Sequence, residues 1–163
     1  MQRRRFLMSL PAMATGSALG AGFAPVLPGR PLVFPADHGA HPAFRTEWWY
    51  ATGWLSLPDG KPLGFQVTFF RVGTGLGEGN PSAFTPRQLV LAHAAIADPA
   101  LGRLRHDERS ARVGVGPAGF DTRTTRVWVG DWRFELVGDR YQTLPALLDR
   151  ALRQQAGTRD MQD

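Results

Sequence analysis

Apolar and polar residues alternate along the stretch from Glu47 to Leu57, and a period of two is the period of a β-strand. The alternation places a set of aromatic and hydroxyl side chains on one face of this strand: Trp48, Tyr50, Thr52, Trp54 and Ser56. The opposite face receives the remaining residues, which are Glu47, Trp49, Ala51, Gly53, Leu55 and Leu57. Because both faces carry aromatic residues, the pattern predicts the wall of a β-barrel, with one face toward a cavity and the other toward a packed layer.

Further strands follow along the chain. An Asp59-Gly60 turn separates the first strand from a second over 63–72, and an apolar run over 88–97 predicts a third. A last hairpin is predicted over 124–137, around Gly130-Asp131. Glycine-rich loops fill 73–86 and 114–119, and the charged segment 103–109 is expected at the surface. The predicted fold class is therefore all-β and antiparallel, a half-barrel or small barrel.

The C-terminal region has a different pattern. Apolar residues recur there at helical spacing, at Leu144, Leu147, Leu148, Ala151 and Leu152. We therefore expect a short amphipathic helix, within a helical or disordered tail over 139–163.

The N-terminus begins with Arg3-Arg4-Arg5-Phe6-Leu7, which fits the core of a twin-arginine export signal. The mildly apolar region that follows is too short and too rich in glycine to predict a membrane span. This arrangement predicts a removable signal peptide over 1–29, a single domain over 30–138, and a periplasmic or secreted location.

Charge and cysteine content narrow the function classes. Three of the five net positive charges come from Arg3, Arg4 and Arg5, so the rest of the chain is only weakly basic. A nucleic-acid-binding protein needs a focused basic surface, and the sequence has no such cluster. Cysteine is absent, which excludes disulfides and thiolate chemistry.

The loop before the first strand and the start of that strand carry candidates for acid catalysis. Asp37 or Glu47, if buried, could keep a proton and deliver it to a carbon–carbon double bond. The faces of Trp48, Trp49 and Tyr50 could then stabilise the resulting cation.

A purely structural interpretation of the same residues stays open. Glu47 could instead pair with Arg45 or Arg71, and the tryptophans could only fill the core. For Asp37, capping of a loop is as good an explanation as chemistry.

The histidines have structural explanations as well. His38 and His41 lie three residues apart on a Pro- and Gly-containing loop, which is no known zinc signature, so we predict no metal and no cofactor. His93 lies within an apolar strand, as expected of a core or cavity histidine. A Gly-x-Ser-x-Gly motif is absent, so no serine hydrolase site is predicted.

One extended motif resembles a known family. It runs Phe34-Pro-x-Asp37-His38-Gly39-x-His41-Pro-x-Phe44-Arg45-x-Glu47-Trp48-Trp49-Tyr50-x-Thr52-Gly53. It continues as Gly64-x-Gln66-x-Thr68-Phe69-Phe70-Arg71, as Ala92-His93-x-Ala95 with Asp98, and as Gly102-Arg103-x-Arg105-x-x-Glu108-Arg109. It resembles the opening motif of the carotenoid 1,2-hydratase-like, AttH-type family of secreted proteins. The likeness covers about residues 34–137.

The resemblance implies a lipocalin-like fold and a pair of alternative functions. Members look like two linked lipocalin-like domains, so this chain would hold only the N-terminal half. The first function is binding of an apolar small molecule or lipid, with an ABC exporter or a chain supplying the second domain as possible partners. The second is a hydratase or hydrolase acting on a hydrophobic substrate. From the residues themselves, we predict that the ligand-binding residues are His38, His41, Trp48, Trp49, Tyr50, Trp54, Gln66 and His93, and that the catalytic residues are Asp37 and Glu47.

Overall fold

The computed structural model describes residues 22–57, 59–77 and 79–143, and within them the chain forms two four-stranded antiparallel sheets. The predicted signal sequence lies mostly before residue 22, and the predicted C-terminal helix lies after residue 143. Residues 1–21 of the predicted signal sequence and the predicted helix therefore fall outside the described residues.

The first sheet is built from four consecutive long strands, paired in chain order. They are β1 (Thr46–Ser56), β2 (Pro62–Gly73), β3 (Gln88–Asp98) and β4 (Arg103–Arg112). The first three match the predicted strands to within two residues at each end. The predicted Asp59-Gly60 turn is also confirmed, with Gly60 at φ 80° and its N–H donating to the Leu57 carbonyl at 2.8 Å.

The second sheet contains four short strands in chain order: β5 (Ala118–Phe120), β6 (Arg126–Val129), β7 (Trp132–Val137) and β8 (Arg140–Thr143). The hairpin predicted around Gly130-Asp131 is β6–β7, with Gly130 at φ 61°. Strand β8 pairs with β7, so the sheet extends past the predicted domain boundary at residue 138.

The two sheets pack face to face and enclose one hydrophobic core. Strands β2 and β3 contribute every second residue to it, for example Val67, Phe69 and Val90, which have no exposed surface. Trp132 and Phe134 of β7 fill the core from the other side. We call the core-facing side of the first sheet its inner face and the opposite side its outer face. Alternation along each strand thus decides which residues stabilise the fold and which stay accessible.

The prediction of an all-β, antiparallel, lipocalin-like fold is confirmed, and over the described residues the barrel is not closed. One segment differs from expectation. Residues 103–109, predicted as a charged surface stretch, belong to strand β4, which pairs with β3 along ten residues. The backbone of this segment forms hydrogen bonds with β3, so it is a strand even though apolar and polar side chains do not alternate along it.

Candidate functional site

The loop that leads into β1 is folded by its own hydrogen bonds. A short 3-10 turn over Ala36–His38 reverses the chain, and the Asp37 carboxylate accepts a hydrogen bond from the Val33 N–H. The His38 carbonyl accepts from the Thr125 hydroxyl at 2.8 Å. The loop is therefore fixed to the second sheet and delivers Asp37 to the start of β1.

His41 lies between the two predicted catalytic carboxylates. Its Nε2 is 2.9 Å from Asp37 Oδ1, and its Nδ1 is 2.7 Å from Glu47 Oε1. The His41 backbone N–H also donates to both oxygens of Glu47, at 2.9 and 3.1 Å. A ring that faces a carboxylate at each nitrogen satisfies both when it is doubly protonated.

Arg71 of β2 completes this cluster from the inner face of the sheet. Its side chain has no exposed surface, and its Nε lies 3.2 Å from Glu47 Oε2. The remaining guanidinium N–H groups donate to the carbonyls of His41 and Phe44, at 3.1 and 2.8 Å, and to Gln88 Oε1 at 2.9 Å. We call Asp37, His41, Glu47 and Arg71 the clasp, because they bind the loop to the sheet.

The electrostatics of the clasp favour the charged forms of Asp37 and His41. The hydrogen bond from the Val33 N–H, followed by the one from His41, lowers the pKa of Asp37 below its ordinary value. The hydrogen bonds to Asp37 and then to Glu47 raise the pKa of His41. A general acid must hold a proton before it reacts, whereas Asp37 is held ionised. This geometry favours a structural role, and the catalytic role of Asp37 and Glu47 stays a prediction.

The outer face of the first sheet presents a different chemistry. Strand register aligns its side chains in five rows that each cross from β1 to β4. The row at one margin contains Thr46, Val72, Leu89 and Arg112, and the other four contain the predicted site residues of this face. Of these four, the first and the last are mainly apolar: Trp48, Phe70, Leu91 and Ser110 form the first, and Trp54, Gly64, Ala97 and Leu104 form the last. The two rows between them are mainly polar: Tyr50, Thr68, His93 and Glu108, then Thr52, Gln66, Ala95 and His106.

Two open grooves lie on this outer face. One, of ≈ 420 Å³, is lined by Trp54, Leu104 and the small residues between them. The other, of ≈ 280 Å³, is lined by His93, His106 and their neighbours. Gln66 lies in the lining of both grooves, so they form one trough with an apolar end and a polar end.

The structure divides the predicted site residues into three groups. Asp37, His41 and Glu47 come together in the clasp, and His38 lies beside it with its Nδ1 3.4 Å from the Tyr141 hydroxyl. On the outer face are Trp48, Tyr50, Trp54, Gln66 and His93. Trp49 packs against the core on the inner face.

The predicted acid Glu47 and the predicted wall of Trp48 and Tyr50 lie on opposite faces of β1, because an odd and an even position of one strand point to opposite sides. The sheet therefore separates the clasp from the trough. Of the open alternatives, Glu47 pairs with Arg71, and Trp49 fills the core.

Sequence reasoning missed the β4 side of the trough. The sequence placed His106 only in a charged segment and Glu108 in the last part of the family motif, with no site role for either, yet they lie opposite Ala95 and His93 of β3. Their spacing of two is a usable signal once β4 is recognised as a strand. His93 Nε2 and Glu108 Oε2 lie 4.0 Å apart at the polar end of the trough.

In the described ranges, no group of three or more His, Cys, Asp and Glu side chains is arranged to hold a metal ion. The part of the chain that the structure describes contains no helix with the length and apolar character needed to cross a bilayer.

Comparison with known proteins agrees with the fold. The model of the family described as AttH-like matches residues 25–157. The chain is also similar to the solved structure of an AttH-type protein from Nitrosomonas europaea, at 52% identity and a TM-score of 0.64. That match covers 74% of this chain but only 36% of the Nitrosomonas protein. None of the curated proteins matches this chain.

Proposed function

Since the chain belongs to the AttH-like family, we propose that it is a lipocalin-like module that binds an apolar or lipid-like ligand in the trough on its outer face. The observation that carries the proposal is the exposed apolar surface around the trough. Trp54 is 79% exposed, and Leu104, which lines the same groove, is 60% exposed. Large contiguous apolar patches on protein surfaces often mark binding sites, whereas single scattered apolar residues do not.

The two ends of the trough suit an amphiphile. The end lined by Trp54 and Leu104 is mainly apolar. It would bind an aliphatic or polyene chain, because binding removes apolar surface of both from water. The end lined by His93, His106 and Gln66 offers hydrogen-bonding groups for a polar head. A long-chain fatty acid or a hydroxylated polyene has this distribution of polarity.

Titration with oleate tests this proposal. Binding to the folded state should quench tryptophan fluorescence and raise the melting temperature, because a ligand bound only by the folded state stabilises it. Trp54→Ala should raise the apparent Kd for oleate by at least about tenfold, which corresponds to about 1.4 kcal/mol of binding free energy. The shift in melting temperature at a fixed oleate concentration should fall accordingly.

A matched control distinguishes oleate binding in the trough from nonspecific binding of oleate to exposed apolar side chains. Trp48 lies on the same strand and the same face but does not line either groove, so Trp48→Ala should leave the oleate response nearly unchanged. Equal losses in Trp48→Ala and Trp54→Ala would contradict the proposal, since the grooves would then make no distinct contribution.

Partners and location are proposed from the family and the leader. We propose that a chain carrying a second lipocalin-like half binds this one, which is supported by its 36% share of the Nitrosomonas protein. Co-expression with the remaining part of that protein should give a complex that co-elutes. Separate elution would contradict this partner, and an ABC exporter as a partner remains a prediction from the resemblance.

Export is proposed from the arginine motif at the N-terminus. Replacing Arg3 and Arg4 by lysine should retain a fused reporter in the cytoplasm, because the pair is the recognised feature of the signal. Unchanged export of the lysine variant would contradict a twin-arginine route.

A further inference from the structure

Strand β1 forms one edge of the first sheet, and of the described strands it pairs only with β2. The Leu57 N–H donates to the Lys61 carbonyl at 2.9 Å, and the Arg45 carbonyl accepts from Gly73 at 2.7 Å. Odd-numbered positions therefore direct their backbone groups toward β2. The even-numbered positions direct theirs outward, to the free edge: Thr46, Trp48, Tyr50, Thr52, Trp54 and Ser56.

The two edges of the first sheet differ in how they are protected. Charged side chains on an edge strand discourage pairing with another sheet. Strand β4, the opposite edge, carries arginine, aspartate and glutamate along its length. Strand β1 has one charged residue, Glu47, which is held in the clasp, and it contains no proline. Within residues 22–57, 59–77 and 79–143, the β1 edge is thus long, has no charged residue at its outward-facing positions, and pairs with no strand on its outer side.

We propose that two copies of this chain pair edge to edge through β1, antiparallel, about a two-fold axis at Ala51. Outward-facing positions have to meet outward-facing positions, so the numbers of paired residues must have an even sum. A sum of 102 aligns β1 along its whole length, from Thr46 opposite Ser56 of the second copy to Ser56 opposite Thr46. This inference goes beyond the ligand-binding proposal and does not depend on it.

Side-chain complementarity supports this register. On the outer face, Trp48 lies opposite Trp54 of the second copy, and Tyr50 lies opposite Thr52. Cross-strand aromatic pairs stabilise a sheet. On the inner face, Trp49 lies opposite Gly53 of the second copy, which has no side chain to oppose the ring. Glu47 lies opposite Leu55, so no like charges meet directly.

Other registers fit less well. Shifting the pairing by two residues brings Tyr50 opposite itself and Trp48 opposite Thr52, and it leaves residues at the end of each strand unpaired. A shift by one places outward groups against inward groups and forms no ladder.

Light scattering after size exclusion measures the first consequence. The full chain of 17.9 kDa should elute with twice that mass at high concentration and dissociate on dilution. The double variant Tyr50→Lys/Thr52→Lys should be monomeric, because it places lysines opposite lysines at the centre of the pairing. Tyr50→Glu/Thr52→Glu should be monomeric for the same reason.

Mixing the lysine variant with the glutamate variant should restore the dimer, because opposite charges then face each other. Two monomeric variants that stay monomeric when mixed would overturn the proposal. Dimers that survive in both variants would also overturn it, since they would use another surface.

Crosslinking tests the register. The chain has no cysteine, so Ala51→Cys introduces a single thiol at the two-fold axis. The Cα atoms of such a non-hydrogen-bonded pair lie about 4.5 Å apart, within the range that a disulfide bridges. Oxidation should give a covalent dimer from Ala51→Cys and none from the control Ser110→Cys on the β4 edge. A monomer from Ala51→Cys, or an equal yield from both, would overturn the two-fold pairing at β1.

Discussion

Glu47 Oε2 lies 3.2 Å from Nε of Arg71, and the Arg71 side chain has no exposed surface at all. The pair joins the first strand to the second strand, and the other donors of Arg71 hold the carbonyls of the preceding loop. A buried guanidinium is tolerated only when its charge and donors are satisfied. The entry loop and the sheet therefore depend on each other through this contact.

Neutralising Glu47 should destabilise the fold strongly. Glu47→Gln leaves the Arg71 charge buried without compensation, and we expect a loss of about 3 kcal/mol in the free energy of unfolding. Urea denaturation measures this loss. Glu108→Gln is the matched control, since the Glu108 side chain is 79% exposed and the change should stay within about 0.5 kcal/mol. A stable Glu47→Gln protein would instead support a buried acid available for chemistry.

The pH dependence of stability should reflect the charge state of His41. Its pKa is raised above the ordinary 6.5 by Asp37 and Glu47, so its contribution is complete below pH 6.5 and declines as the pH rises through the raised value. The lowered pKa of Asp37 acts in the other direction: its contribution is present above 3.8 and is lost as the pH falls through the lowered value.

Thermal denaturation followed between about pH 5 and pH 9 measures the alkaline slope. His41→Asn should abolish that slope, whereas His106→Asn, on the outer face far along the sheet from the clasp, should retain it. A slope that persists in His41→Asn would assign the titration to another group.

Residue alternation predicted most of the first sheet. Strand β1 was identified with its two faces because residue types alternate along it, and β2 was identified as the strand that follows the Asp59-Gly60 turn. Strand β4 could not be recognised in this way, since both of its faces carry charges. Its strand character comes from pairing with β3, which is a tertiary effect that local pattern does not contain.

The candidate site was predicted in its residues but not in its arrangement. The motif drew Asp37, His41 and Glu47 into one group with Trp48 and Tyr50 because they are close in sequence. In the folded chain a single step along β1 reverses the side of the sheet, so neighbours in sequence serve different surfaces. The trough also needs His106 and Glu108, which lie far along the chain.

Gly39 should tolerate no side chain. A Cβ at this position would overlap the backbone carbonyl of Thr122, where the entry loop contacts the second sheet. Ala40 next to it donates to the Asp121 carbonyl at 2.9 Å, so the two segments have little freedom to separate. Gly39→Ala should lower the free energy of unfolding by about 2 kcal/mol.

Urea denaturation of Gly39→Ala beside Gly22→Ala checks this expectation. Among the residues that the structure describes, a Cβ added at Gly22 would meet no atom within 4 Å, so Gly22→Ala serves as the matched control. Equal stabilities of the two variants would show that the loop moves away from Thr122 without penalty.

The centre of the core supplies the last prediction. Trp132 of β7 has no exposed surface, its ring lies 4.9 Å from Cζ of Arg109, and its indole Nε1 finds no hydrogen-bond partner among the described residues. Trp132→Ala should lower the free energy of unfolding by about 4 kcal/mol, because it leaves a large cavity. Trp132→Phe keeps most of the ring and removes the unpaired donor, so its loss should stay below about 1.5 kcal/mol. Trp48→Phe, the same change at an exposed position, should alter stability by less than about 0.5 kcal/mol. If urea denaturation shows Trp132→Phe as damaging as Trp132→Ala, the indole N–H contributes a contact that the protein groups around it do not explain.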